Sequence, residues 1–266
     1  MRPNAPLPLA KARLERVNLV LADVDGTLTS KGKLTSSVVR ALEWLSAHKV
    51  KVALVSGRPS GWAECWARQL PVEGVIAENG GLYFAWRGDK LAKVYLEPER
   101  ERVRNRERLT REVEAVMKKV PGARLSMDSA ATEVDLAIDH NEDVKLGPKA
   151  AGRLEQLLRA RGVKAVRSSV HVNCWLGDFD KRSAAAAFVR RELSMNLAKK
   201  DGRIVFVGDS FNDAPMFEAV PLSVGVANVL DVLGQIDAAP KFVTRAREGK
   251  GFIELADAIG RARRAR

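Results

Sequence analysis

Short apolar runs alternate with amphipathic segments over the first eighty residues of the chain. The runs 18–22, 50–55 and 74–77 have the length and composition of buried strands. Between them, segments 34–48 and 60–70 place apolar residues three and four positions apart, the spacing of one helix face. Strand, helix, strand, helix, strand with short connections is typical of a right-handed parallel sheet covered on both faces.

The same alternation returns near the C-terminus, so we expect the two blocks to form two halves of one sheet. The pattern there predicts helices over 183–197, 214–219 and 251–259 and strands over 203–207, 222–226 and 241–244.

The middle of the chain has a different pattern. Residues 82–86 and 91–96 flank the sequence Arg-Gly-Asp-Lys, which is typical of a hairpin turn. Paired strands separated by helices then predict an antiparallel sheet with helices on one face. The predicted helices cover 99–119 and 149–161, and the predicted strands lie around 124–127, 133–138, 163–167 and 170–175.

These patterns predict an α/β protein with a Rossmann-like, doubly wound parallel-sheet core and an inserted α+β domain. We expect the core to comprise residues 1–82 and 179–266 and the inserted domain to comprise 83–178.

Composition fits this fold and narrows the partners. Apolar residues make up 46% of the 266 residues, so the chain can bury a full core. Its 45 Lys and Arg against 33 Asp and Glu leave a net charge of +12. However, the Arg-rich stretch 100–111 alternates with Glu, as in a solvated helix face, which argues against nucleic-acid binding. No apolar run approaches the roughly 18 residues of a membrane span.

The cysteines indicate a reducing compartment. Cys65 and Cys174 are single and far apart, without metal-type spacing, so we expect a cytoplasmic protein with two buried thiols. Residues 1–16 are basic and lack the apolar stretch of a secretory signal. Trp62 and Trp66 lie at helical spacing around Cys65 and are expected in the core.

Acidic residues follow two of the predicted strands. Asp23 and Asp25 come after strand 18–22, and residues two apart on an extended chain point the same way. Asp209 and Asp213 follow strand 203–207, although by themselves they are equally consistent with a helix cap and a first-turn dipole partner. Carboxylates that converge need a cation or a shared proton, so the pattern predicts a Mg²⁺ site.

Groups suited to an anion lie beside these acids. Ser56, Gly57 and Arg58 end strand 50–55 and lead into a helix, so they offer a hydroxyl and backbone N–H groups. Lys181 precedes the helix predicted over 183–197 and adds a cation. Each motif alone has an ordinary structural explanation. Together, a carboxylate nucleophile, a metal, a hydroxyl and an ammonium are the parts that phosphoryl transfer needs.

The order of these motifs resembles that of the haloacid dehalogenase-like phosphohydrolase superfamily. The motifs are Asp23-x-Asp25-Gly-Thr, Ser56-Gly-Arg, Lys181 and Gly208-Asp209-Ser-x-Asn212-Asp213. The insertion between the second and third motifs is similar to the large α/β cap of the group that contains sugar phosphatases and phosphomannomutases. Further resemblance lies in Glu78-Asn79-Gly80 and in 224–228, so the match covers nearly the whole chain.

The resemblance implies a role for each acidic residue. Asp23 would be the nucleophile, and Asp25 would be the general acid and base, with its backbone carbonyl on Mg²⁺. Asp209 would complete the metal ligands, and Asp213 would support the metal's waters.

Ser56 and Lys181 would hold phosphoryl oxygens, and Lys181 would also restrain Asp23. His171 and Asn173 alternate to one face of the strand 170–175 and, with Trp175, are candidates for binding substrate hydroxyls, although a lone strand histidine often has a structural role. The expected substrate-binding residues are Thr27, Gly57, Arg58, Asn79, His171, Asn173 and Asn212.

We therefore expect a Mg²⁺-dependent phosphatase that acts on a small phosphorylated metabolite, a sugar phosphate or a phosphoglycolate-like compound, through an aspartyl phosphate. It would be a monomer or homodimer without a membrane partner, and its cap would close about hinges near Leu82 and Asp178. Two alternatives remain. A phosphomannomutase-like phosphosugar mutase is disfavoured by the phosphatase form of the second motif, and a catalytically idle RNA-binding protein is disfavoured by the complete set of candidate catalytic residues.

Overall fold

The computed structural model describes residues 5–168 and 170–265, and its largest element is a sheet of nine strands. Its first six strands are β1 (Leu7–Pro8), β2 (Leu19–Ala22), β5 (Lys51–Val55), β6 (Gly74–Ala77), β7 (Leu82–Arg87) and β8 (Lys90–Tyr95). The last three strands are β13 (Ile204–Gly208), β14 (Ser223–Gly225) and β15 (Phe242–Val243). Between β2 and β5 lies a small hairpin of β3 (Thr29–Ser30) and β4 (Lys33–Leu34).

The sheet has the order β1-β15-β14-β13-β2-β5-β6-β7-β8. Its strand pairs are parallel, apart from β6 with β7 and β7 with β8. The helices that accompany it are α1 (Ser36–Ala47), α2 (Ser60–Gln69), α5 (Lys181–Leu193), α6 (Ala214–Ala219) and α7 (Glu248–Arg264). The expected α/β class with a doubly wound parallel-sheet core is confirmed.

Alternating strand residues build two apolar layers. Leu19 and Leu21 of β2 belong to the cluster formed with α5 and α6, whereas Val20 and Ala22 belong to the cluster with α1, α2 and α7. Because both faces are buried, the central strands read as continuous apolar runs rather than as alternating ones. This burial explains why the sequence pattern predicts β2, β5 and β6 well.

A second sheet is inserted between β8 and α5. The inserted elements are α3 (Glu99–Met117), β9 (Arg124–Leu125), β10 (Asp135–Asp139), α4 (Gly147–Arg159), β11 (Lys164–Arg167) and β12 (His171–Trp175). The strands have the order β11-β12-β10-β9 and pair antiparallel. Helices α3 and α4 pack on one face, and β10 and β12 carry buried polar residues on the other face, towards the core.

The hairpin β7–β8 corrects the expected domain boundary at residue 83. It pairs antiparallel with β6 and therefore extends the core sheet. Tyr83 packs edge-to-face on Phe188 of α5, with 5.4 Å between ring centroids, which fixes the hairpin to the core. By sheet membership the inserted unit starts with α3, and we call residues 99–176 the cap.

Two short linkers join the cap to the core and lie against each other. Glu97 of the first linker accepts a hydrogen bond from the backbone N–H of Asp178 in the second, at 2.9 Å. Gly177 has a φ of +123°, and a Cβ there would lie 2.5 Å from Oε1 of Glu97. Asp178 thus lies in a linker as the hinge hypothesis requires, whereas Leu82 lies inside β7.

Of the two thiols expected to be buried, one is buried and the other is exposed. Cys174 is buried in the cap, but Cys65 is exposed on α2, and Trp62 is 44% exposed. Ser60, Ala63 and Ala67 are the buried residues of α2. Trp66, which was also expected in the core, is partly buried against it, whereas Trp62 and Cys65 lie on the exposed side of the helix. Across the described residues, no helix has the length and apolarity needed to cross a bilayer.

Candidate active site

An ion triplet lies at the carboxyl end of β2. Asp23 follows the strand directly, and its Oδ1 accepts a hydrogen bond from Nζ of Lys181 at 2.7 Å. The same ammonium donates to Oδ1 of Asp213 at 2.8 Å. Lys181 is the first residue of α5, whose start is fixed by a capping box between Asp180 and Ser183. All members of the triplet are buried, so the ammonium is held by the fold.

The turn after β13 positions the other two acids. Oδ2 of Asp213 accepts the backbone N–H groups of Asp209 and Ser210 at 2.9 and 3.1 Å. Ser210 is the N-cap of a short 3₁₀ helix, and the carboxylate of Asp213, the third residue of that helix, accepts the backbone N–H of Ser210. Asp213 therefore both caps its own turn and binds Lys181, and its expected role in supporting the metal's waters stays a prediction.

Asp209 is oriented by two side chains from other loops. Its Oδ1 accepts the hydroxyl of Thr27 at 3.0 Å, and its Oδ2 accepts the amide of Asn228 at 2.8 Å. Gly26 makes the close approach possible because its φ is +80° and a Cβ would lie 2.5 Å from that Oδ2. The sequence marks Asn228 only as part of the segment 224–228, and nothing in the pattern predicts its contact with Asp209.

Three buried carboxylates form a candidate metal site. Oxygens of Asp23, Asp209 and Asp213 lie within 4.8 Å of one another. Burial, followed by the charge of Asp213, raises the pKa of Asp23, and burial, followed by the charge of Asp23, raises the pKa of Asp209. Burial opposes the charge of Lys181, but Asp213 and Asp23 outweigh it and raise the pKa of the ammonium. Three carboxylates lie beside the one ammonium of Lys181, which leaves an excess of negative charge. A divalent cation bound to carboxylate oxygens would balance this excess.

The second motif forms the opposite wall of the site. Ser56 is buried, and its Oγ accepts the backbone N–H of Arg58 at 3.0 Å. Gly57 allows two amide side chains to approach, since a Cβ there would lie 2.9 Å from both Oδ1 of Asn79 and Nδ2 of Asn173. The motif therefore brings the core and the cap into direct contact.

Arg58 binds the candidate general acid in a bidentate ion pair. Its Nε and Nη2 each donate to one oxygen of Asp25, both at 2.9 Å. Burial opposes the charge of Arg58, but its carboxylate partners, Asp25 first, raise its pKa, so the guanidinium stays charged. The carboxylate of Asp25 thus pairs with Arg58 and is separate from the acidic cluster of Asp23, Asp209 and Asp213.

Two cap residues complete the shell of Arg58. Nη1 donates to Asp128 at 3.3 Å and to Glu142 at 3.1 Å, and Nη2 donates to Glu142 at 2.6 Å. Nε2 of His171 lies 2.9 Å from Oε2 of Glu142. The bond from His171, followed by the contacts with Arg58, lowers the pKa of Glu142 to about 2. Asp128 and Glu142 were not predicted, because no motif spacing links them to the second motif.

A buried acid anchors the cap beside this shell. Glu78 is fully buried, and its carboxylate accepts backbone N–H groups from Ser60 in the core and from 133–135 in the cap. The next residue, Asn79, donates to Oδ2 of Asp135 at 2.8 Å. Burial raises the pKa of Asp135 well above its ordinary value. Within the described chain, Oδ1 of Asn79 and Oδ1 of Asn173 are buried without a hydrogen-bond partner and remain available to a ligand.

The predicted site residues lie together at this interface of core and cap. One small cleft is lined by Asp23, Asp25, Gly57, Arg58, His171, Asn173 and Asn212, together with Ser168, Val170 and Ser210. Thr27, Ser56, Asn79 and Lys181 are buried beside it. Trp175 instead lines a second groove, which Asn79, Lys181 and Asn212 also line, and its indole N–H donates to the carbonyl of Phe179 at 2.9 Å. The individual catalytic and binding roles of these residues remain predictions.

A family model matches the first part of this sequence, and two known proteins are similar to it over most of its length. A family model described as haloacid dehalogenase-like hydrolase matches residues 20–102. A phosphoglycolate phosphatase of Haloarcula marismortui is 30% identical over 245 residues, which cover 88% of this chain and 94% of that protein. A phosphoglycolate phosphatase of Methanothrix thermoacetophila is 27% identical, with coverage of 91% and 96%.

Solved structures show the same fold at lower identity. The C-terminal domain of a trehalose-6-phosphate phosphatase from C. albicans matches with a TM-score of 0.71 at 18% identity, covering 96% of this chain and 98% of that chain. A sucrose-phosphatase from Synechocystis matches with a TM-score of 0.65 at 16% identity, covering 92% and 98%. The chain belongs to the haloacid dehalogenase-like hydrolase family and is one of its phosphatases.

Proposed function

We propose that this chain is a Mg²⁺-dependent phosphatase that hydrolyses a small phosphomonoester, of the phosphoglycolate type, through an aspartyl phosphate on Asp23. The observation that carries the proposal is the buried contact between Lys181 and Asp23 in a site that also contains Asp25. The names of the relatives, phosphoglycolate phosphatases, support the substrate class.

The acidic cluster supports the choice of metal. Asp23 and Asp209, with Asp213 behind them, supply hard oxygen ligands, and their three carboxylates outnumber the one ammonium of Lys181 that pairs with Asp23 and Asp213. Bound there, Mg²⁺ would supply positive charge that reduces repulsion between the phosphate dianion and the anionic nucleophile. Thr27 and Asn228 fix the orientation of Asp209, so the ligand set is preorganised in the protein.

The first half of the reaction is displacement at phosphorus. A carboxylate oxygen of Asp23 forms a bond to phosphorus while the bond from phosphorus to the ester oxygen breaks. Asp25 takes part in this step in its protonated form, which requires one of its two hydrogen bonds with Arg58 to open, and it transfers the proton to the departing oxygen so that the leaving group departs as an alcohol. Lys181 neutralises charge beside Asp23, and the hydroxyl of Ser56 donates to a phosphoryl oxygen.

The second half returns the enzyme to its starting state. Asp25 is now a carboxylate and removes a proton from water as the water oxygen bonds to phosphorus. The bond between phosphorus and Asp23 breaks, which releases inorganic phosphate and restores the free carboxylate. Arg58 holds the ionised form of Asp25 by two hydrogen bonds, so the base is in place for this second proton transfer.

A panel of phosphorylated metabolites tests the proposal directly. We expect the wild-type protein to release inorganic phosphate from 2-phosphoglycolate in the presence of Mg²⁺ and without a bisphosphate activator. Asp23→Asn should lose this activity but keep its circular dichroism spectrum, because the substitution is nearly isosteric. Full activity of Asp23→Asn, or phosphate release that requires a sugar bisphosphate, would contradict the proposal.

A further inference from the structure

A carboxylate of the protein occupies a donor-rich position in the cleft. Glu142 lies between Arg58 of the core and His171 of the cap, which are 7% and 4% exposed. Its oxygens accept hydrogen bonds from both terminal nitrogens of Arg58 at 2.6 and 3.1 Å and from Nε2 of His171 at 2.9 Å. The two donor side chains belong to different domains, so this position exists only when the cap is closed.

The position stabilises an anion. The pKa of Glu142 is lowered to about 2 by the bond from His171 and then by Arg58, so a carboxylate here is ionised across the physiological range. Without a carboxylate, buried N–H groups of Arg58 and His171 would lack acceptors, which is unfavourable. The contacts of Glu142 with Arg58 and His171 therefore show that this position accommodates one carboxylate.

Glu142 can leave without disturbing the backbone that carries it. Its loop is held by Asp139, whose buried carboxylate accepts the backbone N–H groups of residues 141–144. The side chain of Glu142 is 36% exposed, so it can rotate towards solvent while these bonds remain. The side chain of Glu142 can therefore leave Arg58 and His171 without any movement of the loop backbone.

The donors of this position are shared with the candidate general acid. Nη2 of Arg58 donates both to Oδ1 of Asp25 at 2.9 Å and to Oε1 of Glu142 at 2.6 Å. A group bound in place of the Glu142 carboxylate would therefore lie next to Asp25, where the ester oxygen of a substrate receives its proton. The adjacency of the two carboxylates at one nitrogen of Arg58 fits a leaving group whose carboxylate is close to the ester oxygen.

We propose that Arg58 and His171 form the subsite for the carboxylate of a phosphorylated short hydroxy acid, and that Glu142 is an internal competitor for that subsite. Substrate binding replaces one carboxylate by another and keeps the charge around Arg58 constant. The inference rests on the proposed phosphatase function and adds to it the residues that recognise the leaving group.

The test compares two substrates of equal length in the full-length protein with Mg²⁺. 2-Phosphoglycolate carries the carboxylate, whereas ethylene glycol phosphate carries a hydroxyl in its place. Glu142→Gln should raise the ratio of kcat/KM for the first substrate over the second by about tenfold, mainly through a lower KM, because the competing charged hydrogen bonds are weakened. Glycolate should also inhibit ethylene glycol phosphate hydrolysis with a Ki about tenfold lower in the variant.

Asp143→Asn is the matched control, because Asp143 is an exposed acid in the same loop. An unchanged substrate ratio and an unchanged glycolate Ki in Glu142→Gln would overturn the inference while leaving the phosphatase function intact. Equal shifts in Asp143→Asn would also overturn it, since they would indicate a general effect of loop charge. Failure of the wild-type protein to hydrolyse either substrate would instead overturn the proposed function and the inference with it.

Discussion

Nζ of Lys181 lies 2.7 Å from Oδ1 of Asp23, although 158 positions and the whole cap separate the two residues in the chain. The contact forms because β2 ends directly before Asp23 and α5, which packs on the same sheet, begins with Lys181. A nucleophile at a strand end thereby acquires a cation from a helix start.

Replacing Lys181 by Met should abolish phosphatase activity and lower stability. The substitution leaves Asp23 and Asp213 buried without their cation, so we expect the free energy of unfolding to fall by about 3 kcal/mol. Urea denaturation at pH 7 measures this change. Arg182→Met removes the next cation along α5, which forms an exposed pair with Glu218, and should change stability by less than about 0.5 kcal/mol. Equal effects of the two substitutions would contradict the assignment.

Metal binding should stabilise the fold through the acidic cluster. At a Mg²⁺ concentration of about 100 times Kd, we expect the wild-type unfolding free energy to rise by about 2.7 kcal/mol, and EDTA should abolish turnover. Asp209→Asn should lose most of this gain because it removes a candidate ligand. Thermal denaturation with and without Mg²⁺ provides the measurement, and the exposed Asp231 provides a control as Asp231→Asn. A full Mg²⁺ shift in Asp209→Asn would place the metal elsewhere.

Asn228 should tune metal affinity without being a ligand. Its amide nitrogen binds Oδ2 of Asp209 and the carbonyl of Gly26, and its Oδ1 accepts the backbone N–H of Glu248 at 2.9 Å. Asn228→Ala should therefore weaken Mg²⁺ binding about 10- to 100-fold. The Mg²⁺ concentration at half-maximal activity reports this change, and an unaltered value would show that Asp209 holds its orientation without Asn228.

Gly177 should be essential to the linker between cap and core. Its φ is +123°, and a Cβ at this position would lie 2.5 Å from Glu97. Gly177→Ala should therefore lower the unfolding free energy by about 1–3 kcal/mol and slow turnover. Gly152→Ala in α4 is the opposite control. Apart from its chain neighbours and the nearby backbone of its own helix, a Cβ there would meet no described atom within 4 Å, so the unfolding free energy should rise by about 0.5–1 kcal/mol. Urea denaturation distinguishes the signs, and stabilisation by Gly177→Ala would refute the hinge assignment.

The contact of Glu142 with His171 and Arg58 should depend on pH. Since folding lowers the pKa of Glu142 from 4.5 to about 2, its contribution to stability is fully present above pH 4.5 and is lost as the pH falls towards 2. The partial exposure of the side chain reduces the contribution to on the order of 1 kcal/mol. Glu142→Gln should thus be less stable than wild type at pH 7, and the difference should shrink below pH 4.5 and nearly vanish only at about pH 2. A difference that stays constant with pH would contradict this assignment.

Local patterns predicted most of the core. The strands 18–22, 50–55 and 74–77 were recognisable because burial on both faces requires continuous apolar runs. The acids and the Ser-Gly-Arg motif were found because parallel strands place their carboxyl ends along one edge. Each of these signals is contained in a few consecutive residues.

Features that depend on distant partners could not be predicted in this way. The hairpin β7–β8 has an ordinary hairpin sequence, and only its pairing with β6 assigns it to the core sheet. Asp128, Glu142 and Asp135 lie on cap segments without a recognisable motif, so their contacts with Arg58 and Asn79 depend on how the cap docks. Trp62 was expected in the core, yet its ring stacks on the guanidinium of Arg58, whose Cζ lies 5.3 Å from the centroid of the indole ring.

The two outer strands of the large sheet have a consequence for solubility. At one edge β1 is only two residues long and ends in Pro8, which has no backbone N–H to offer a further strand. At the other edge β8 carries Lys90 and Lys93, whose charges would be brought together if two such edges paired. Pairing of these edges between molecules is therefore disfavoured on both sides, and we expect this to limit aggregation through the sheet at high concentration.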